Sequence, residues 1–210
     1  MSKAIATLVK TKPEWVTIET NSGCAMTVTT AGVHTSGEPL RRYRLLIQEE
    51  EWVRGILARE VEARLLPRNC IQRHMNTDGS FCIGFEAPRL VVDEAGGNRW
   101  WSLLLGYLRC QDVATTTRRW PPNRGLSHGE AASAQIEAEV LADELGLLVQ
   151  YREHVEYGTD WPPTDVLPSE KLSKLLELEE KRQRLDHDFL HFIDYSCCGT
   201  MDDCPIAESN

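Results

Sequence analysis

A short stretch in the middle of the chain combines residue types that could carry out nucleophilic chemistry. His74 and Asn76 precede a glycine-flanked turn, and Cys82 follows that turn in an apolar setting. Cysteine is strongly nucleophilic near neutral pH, and a nearby amide can stabilise the oxyanion that develops in acyl transfer. Gly79 and Gly84 allow tight turns and the close approach of another chain. The pattern predicts an acyl-transfer site at Cys82; the competing interpretation is a small buried cysteine.

Three other cysteines lie on or beside predicted strand or helix faces. Cys24, Cys70 and Cys110 are therefore expected in the core. Cys70 is the second choice as nucleophile, because the neighbouring Arg68 could lower the pKa of its thiol.

A second group of metal-ligand types lies near the C-terminus and consists of His187, His191, Cys197, Cys198 and Cys204. The two histidines are four residues apart and would share one helix face. Zinc accepts such ligands in tetrahedral sets, but the adjacent cysteine pair differs from the usual gapped spacing. Zinc therefore stays an alternative. The others are a packed tail with incidental cysteines, or a redox or thioester-accepting role.

The composition restricts the class of protein. The 210 residues include 23 Lys and Arg against 32 Asp and Glu, a net charge of −9, which argues against nucleic-acid binding. The hydrophobic fraction of 41% is typical of a soluble globular chain. No apolar run approaches a membrane span, and the N-terminus lacks the pattern of a secretory signal. We therefore expect a cytoplasmic protein with reduced cysteines and no membrane partner.

The first third of the chain shows strand patterns. Alternating β-branched residues predict strands at residues 15–19 and 25–29, joined by a turn at 21–23, and a third strand at 42–47. Apolar residues at helical spacing, with three acids in front, predict a helix over residues 49–66. No helix is evident before the first strand.

The rest of the chain is predicted to be mainly helical. Glycines and a proline predict an ordered loop region over residues 68–99, followed by a helix at 100–111. Ser127 stands three residues before Glu130, which is the spacing of a capping box for a helix over 128–145. Gly146 then closes this helix.

These elements predict an α+β fold, with a small antiparallel sheet packed by helices and the cysteine loop at the sheet edge. We expect one domain over residues 1–150 and a proline-rich connector over 151–168. A C-terminal extension over 169–210 would consist of an amphipathic helix at 169–194 and a cysteine-rich tail.

The segment around Cys82 resembles the active-site segment of ubiquitin-conjugating enzymes. His74-Met75-Asn76 stands for the His-Pro-Asn triplet of that family, and Gly79-Ser80-Phe81-Cys82-Ile83 stands for its cysteine segment. Met75 replaces the proline, and the intervening loop is two residues shorter than in eukaryotic members. The order of elements over residues 15–150 is also similar.

The downstream sequence points to one branch of that family. The Trp120-Pro121-Pro122 break and Leu126-Ser127-His128-Gly129 before an Ala/Glu helix are similar to the divergent prokaryotic branch. Members of this branch are encoded beside ubiquitin-like proteins and activating enzymes, often in antiviral defence clusters.

The resemblance implies an acyl relay without a metal or organic cofactor. Cys82 would accept the C-terminal carboxyl group of a ubiquitin-like protein from an activating enzyme and pass it to a lysine of a protein substrate. Asn76 would stabilise the oxyanion or pin the loop. His74 would hold the loop or act as a base, and Asp78 would orient or deprotonate the incoming amine.

Two further side chains are candidates for the groove beside the cysteine. The resemblance places one ring of the tryptophan pair, Trp101, near Cys82. His128 could line the same groove, although a histidine in the first turn of a helix more often faces solvent.

Two other functions remain open at this point. The first is a non-catalytic module that binds a ubiquitin-like protein on the same fold. The second is a hydrolase that pairs Cys82 with His74 or His128, which requires an imidazole within hydrogen-bond distance of the sulfur.

Overall fold

The computed structural model describes residues 2–62, 65–67, 70, 73–76, 78–84, 86–117, 120–121, 127, 130–164 and 166–192, apart from the side chains of 157 and 188–192. The chain divides into two compact units. The first extends to Trp120 and the second begins at Pro121. The antiparallel sheet and its helices confirm the α+β class.

The first unit is built on a four-stranded antiparallel sheet in sequential order. Its strands are β1 (Val16–Asn21), β2 (Ala25–Thr30), β3 (Arg44–Glu50) and β4 (Gly55–Glu60). The predicted hairpin and the third strand are confirmed. Alternate residues of β2 and β3 are buried, as one face of a pleated sheet requires.

The predicted helix over residues 49–66 is wrong, because this stretch forms the turn between β3 and β4 and then β4 itself. Residues 56–58 are buried in succession, and such a short apolar run fits a buried strand as well as a helix. Arg54 has a φ of 51°, which helps the chain reverse. The acids at 49–51 therefore end a strand and begin a turn; they do not face the start of a helix.

An N-terminal helix that the sequence patterns did not predict, α1 (Lys3–Lys10), precedes the sheet. The hydroxyl of Ser2 accepts a hydrogen bond from the backbone N–H of Ile5 at 3.2 Å and caps the first turn. Ile5 and Leu8 are fully buried in the core of the first unit. The helix has only eight residues, so its apolar spacing is a weak signal.

The long helix α2 (Glu94–Thr117) covers the predicted helix at 100–111 and extends it at both ends. The sequence patterns did not predict its first residues, because two glycines lie in its first turn. A Cβ on Gly97 would lie 2.5 Å from Thr11 Oγ1, so the small residue serves close packing. Before α2, the chain from 65 to 93 contains a short 3₁₀ turn at Ala87–Arg89, as expected for an ordered loop region.

The described part of the second unit contains three helices: α3 (Glu130–Glu144), α4 (Leu148–Tyr157) and α5 (Glu170–Phe192). Their apolar cluster includes Ala138, Ala142, Leu147, Tyr151, Leu172, Leu175 and Leu178. Helix α4 was not predicted and occupies the first part of 151–168. No described helix has the length and apolar character needed to cross a bilayer.

The ends of α3 agree only in part with the predicted caps. Gly146 has a φ of 72°, and the N–H of Leu147 donates to the carbonyl of Ala142 at 2.7 Å, which closes the helix as predicted. At the other end, the N–H of Ser127 donates to Gln135 Oε1 at 2.7 Å, so Gln135 takes the part expected of Glu130.

Candidate active site

The stretch around Cys82 forms a small antiparallel hairpin. The N–H of Cys82 donates to the carbonyl of His74 at 2.8 Å, and the N–H of Asn76 donates to the carbonyl of Ser80 at 2.8 Å. These two bonds bracket a β-bridge between the residues at 75 and 81. Three of the predicted residues, His74, Asn76 and Cys82, thus lie in the same short hairpin.

The hairpin lies against the free edge of β4, as the predicted cysteine loop requires. The N–H of Phe81 donates to the carbonyl of Ala58 at 2.8 Å, and Ser80 forms a β-bridge with Arg59. Phe81 is 3% exposed and belongs to the core. Cys82 therefore follows directly on a residue that is anchored in the sheet.

The turn of the hairpin is held by its own side chains. Asp78 Oδ1 accepts the N–H of Ser80 at 2.9 Å and its hydroxyl at 2.6 Å. Asn76 Nδ2 donates to the same hydroxyl oxygen at 2.9 Å. Gly79 has a φ of 78°, which suits a residue without a Cβ. Asn76 and Asp78 thus fasten the loop that precedes Cys82.

The Cys82 thiol is partly buried, and its surroundings favour the protonated form. Burial raises the pKa of the thiol, and a hydrogen bond from the backbone of Gly84 lowers it by less. Cys82 is partly exposed as a residue, and no cation among the described residues lowers the pKa of its thiol. It is suited to carry an acyl group once deprotonated.

Aromatic rings pack around the two strands of the hairpin. The His74 ring lies 4.8 Å from that of Trp120, and the Phe81 ring stacks on Tyr107 at 4.8 Å. Tyr107 and Trp120 are 5.9 Å apart. His74 is 8% exposed and has a φ of 52°. The His74 ring is thus packed against Trp120 and is largely shielded from solvent.

A buried arginine, missed by sequence reasoning, connects this hairpin to α2. Arg73 is 0% exposed, and its Nε donates to Gln111 Oε1 at 2.9 Å. Gln111 Nε2 in turn donates to the carbonyl of Arg73 at 2.7 Å and to the Tyr107 hydroxyl at 2.6 Å. The sequence holds no signal for these contacts, because arginine is ordinarily exposed.

The stretch that contains the sheet, α2 and the hairpin also matches a known family. Residues 15–122, more than half of the chain, match the model of the Prokaryotic E2 domain. The chain belongs to the Prokaryotic E2 domain family. This membership gives it a conjugating-enzyme-like role, whose general partners are a ubiquitin-like protein and an activating enzyme. No significant match was found among curated proteins or solved structures.

The two groove candidates of this E2 domain have different outcomes. Trp101 is 2% exposed, its indole N–H donates to the carbonyl of Leu8 at 3.1 Å, and its ring packs edge-on against Trp15. Trp101 is thus a core residue, and its predicted place in a groove is wrong. His128 lies outside the described residues.

The remaining cysteines of the E2 domain divide between core and surface. Cys70 and Cys110 are buried, as predicted. Cys24 is exposed next to the turn between β1 and β2, so its predicted core position is wrong. A residue beside a two-strand turn has no partner layer to cover it. The burial of Cys70 also leaves Cys82 as the more accessible of the two candidate nucleophiles.

The possible zinc ligands lie almost entirely outside the described part of the chain. His187 is exposed on α5, while Cys197, Cys198 and Cys204 and the side chain of His191 are not described. Among the described residues, no three His, Cys, Asp or Glu side chains are close enough to hold a metal ion. Zinc in the tail stays a prediction, which metal analysis of the purified protein would test.

Proposed function

We propose that this E2 domain protein accepts a ubiquitin-like protein as a thioester on Cys82 and transfers it to a lysine or another amine of a protein substrate. The observation that carries the proposal is the position of Cys82, partly accessible at the end of a hairpin that is fastened to the edge of β4. Because the resemblance is to a branch encoded beside defence genes, we propose bacterial antiviral defence as its setting.

The proposed reaction consists of two acyl transfers. First, the Cys82 thiolate attacks the thioester carbonyl on the activating enzyme. Cys82 loses its thiol proton to water before the attack; the new C–S bond then forms, the bond to the activating enzyme's sulfur breaks, and that enzyme's thiolate leaves and can take up a proton from water. Next, an amine attacks the thioester, the Cys82 sulfur leaves, and the amine gives up one proton. A thiol with a raised pKa is a poorer leaving group, which protects the intermediate from premature loss.

We assign positioning roles to the three polar residues of the hairpin. The carbonyl of His74 holds the Cys82 N–H, while Asn76 and Asp78 hold Ser80. An asparagine amide has two N–H donors, and the bond to Ser80 uses one of them. We propose that the second donor of Asn76 serves the oxyanion.

The direct test is a thioester assay with the full chain, an activating enzyme, ATP and a ubiquitin-like partner. On a non-reducing gel we expect a band of the combined mass that reductant removes. Cys82→Ser should give a band that resists reductant and is cleaved by base, because the ester replaces the thioester. Cys82→Ala should give none. Cys24→Ala is the matched control and should behave as the wild type, since Cys24 lies at the far turn of the sheet.

Other results of the same assay would point elsewhere. Full transfer by Cys82→Ala would refute the proposal. Co-elution with the ubiquitin-like protein without any covalent band would indicate a binding module. Release of a processed tail would indicate a hydrolase.

A further inference from the structure

The contact between Gln111 and Arg73 fixes an arginine at both its backbone and its side chain. Gln111 Nε2 donates to the Arg73 carbonyl at 2.7 Å, and Gln111 Oε1 accepts from Arg73 Nε at 2.9 Å. Both residues are 0% exposed. One amide group of α2 therefore sets the orientation of the Arg73 carbonyl and of the guanidinium together.

This orientation is passed along the chain to Cys82. The Arg73 carbonyl belongs to the peptide bond that precedes His74, and His74 has a φ of 52°, which is unfavourable for a residue with a Cβ. Such a conformation persists only where the surroundings hold it. The carbonyl of His74 then accepts the Cys82 N–H at 2.8 Å. The carbonyl that Gln111 contacts and the carbonyl that accepts the Cys82 N–H thus belong to adjacent residues, Arg73 and His74.

Tyr107 supports the same carbonyl and touches the other strand of the hairpin. Its hydroxyl accepts from Gln111 Nε2 at 2.6 Å and lies 3.4 Å from the Arg73 carbonyl, to which it can donate. Its ring stacks on Phe81, the residue before Cys82. The hairpin is thus held from α2 on both of its strands.

We infer that Gln111 is a positioning residue for Cys82, acting through the Arg73 carbonyl and the backbone of His74. The inference rests on the proposed function for its effect on acyl transfer. It depends on the amide at position 111, whose Nε2 donates to the Arg73 carbonyl while its Oε1 accepts from the guanidinium. A carboxylate of the same shape would still accept from the guanidinium, but it could not donate to the Arg73 carbonyl.

The buried charge of Arg73 would favour a carboxylate at position 111, but the chain has an amide there. The guanidinium is fully buried. Among the described residues, its hydrogen bonds go to the neutral groups of Gln111 and Thr115, and its Nη1 has no hydrogen-bond partner. A carboxylate at 111 would compensate a buried charge that is otherwise costly. Gln111→Glu is therefore expected to fold, which makes it a test of geometry.

The experiment compares two rates in the full-length Gln111→Glu protein. The first is alkylation of Cys82 by iodoacetamide from pH 7 to 10, followed by mass spectrometry of the peptide that contains Cys82. We expect it to rise about threefold or more, because a released hairpin exposes the thiol. The second is the rate of thioester formation at saturating activating enzyme, which should fall about tenfold, as expected for one lost hydrogen bond in the transition state.

Two further variants separate positioning from general destabilisation. Gln135→Glu makes the same exchange at a buried glutamine of α3 and should leave both Cys82 rates unchanged. Tyr107→Phe keeps the ring on Phe81 and removes the hydroxyl, so it should shift both rates in the same directions by a smaller factor. If Gln111→Glu does not fold, the two rates of Tyr107→Phe test the positioning of Cys82 instead.

Opposite changes in the two rates support the inference. A folded Gln111→Glu protein with the wild-type alkylation profile would overturn it. So would rates that both fall in proportion to a lowered melting temperature, since that is a purely structural effect. If the wild type forms no thioester, the proposed function fails, while the alkylation comparison still tests the positioning by Gln111.

Discussion

Cys82 is held mainly as a thiol near neutral pH, because burial raises its pKa above the ordinary value of 9.0 and the Gly84 backbone offsets only part of this. A thiol must lose its proton before it attacks. The rate of any reaction at Cys82 should therefore still increase with pH where an ordinary cysteine has already levelled off.

This leads to a prediction for the native protein. The iodoacetamide rate at Cys82 should increase with pH from pH 7 upward, and it should keep rising above pH 9, because the pKa of the thiol lies above the ordinary 9.0. The same peptide in the urea-unfolded chain is the control. Its rate should level off at a lower pH, because unfolding removes the burial that raises the pKa of the thiol. A native rate that levels off at or below the pH of the unfolded control would contradict the assigned pKa direction.

The residues of the site that the sequence could predict are those that lie close together along the chain. His74, Asn76 and Cys82 fall within nine positions, so a local motif reveals them. Arg73 and Gln111 are 38 positions apart and meet only through packing. Trp101 shows the opposite error: the family resemblance implied a groove position, whereas the indole N–H donates to a backbone carbonyl of α1.

At the scale of elements, the hairpin of β3 and β4 determines where the cysteine segment can attach. The sequence predicted β1 to β3 from alternation and turn residues, but it predicted a helix in place of β4. Helical spacing and a fully buried strand look alike over six residues. Gly55 at the start of β4 is explained only by tertiary structure, since a Cβ there would lie 2.0 Å from the Pro88 carbonyl oxygen.

Gly55→Ala should therefore destabilise the first unit strongly. The clash involves a backbone atom, so either β4 or the 3₁₀ turn must shift, at a cost of about 2–4 kcal/mol in the free energy of unfolding. Gly106→Ala in α2 is the matched control. Nothing lies within 4 Å of its Cβ, and alanine should stabilise the helix by about 0.5–1 kcal/mol. Urea unfolding measures both, and equal stability of the two variants would be inconsistent with the close approach at Gly55.

At the scale of the whole molecule, charge is divided unevenly between the two units. Residues 1–120 contain 16 Lys and Arg against 13 Asp and Glu, whereas residues 130–192 contain 6 against 15. The net charge of −9 thus reflects the second unit and the chain after it more than the E2 domain. Acid should affect the stability of the helical unit in particular, because buried carboxylates there depend on being ionised.

Glu179 is the carboxylate on which this dependence centres. Burial alone raises its pKa, but hydrogen bonds from Arg182 and Tyr151 outweigh burial, and the pKa lies below the ordinary 4.5. Arg182 donates to it at 2.8 and 2.6 Å, and the Tyr151 hydroxyl at 2.7 Å. Because the pKa is lowered on folding, the contribution of Glu179 is present above pH 4.5 and is lost as the pH falls through the folded-state value.

Glu179→Gln should remove this contribution at neutral pH and, in the described part of the chain, leave the buried Arg182 with only the more distant carboxylate of Asp186, at 3.7 Å, as counter-charge. We expect a cost of about 3 kcal/mol. Urea unfolding followed by helical circular dichroism should show that the difference between wild type and variant begins to shrink below pH 4.5 and keeps shrinking as the pH falls through the folded-state pKa of Glu179. Glu144→Gln is the control, since its pair with Lys171 is half-exposed and should contribute about 1 kcal/mol or less. If the two variants are equally stable at pH 7, the buried cluster does not hold the second unit together.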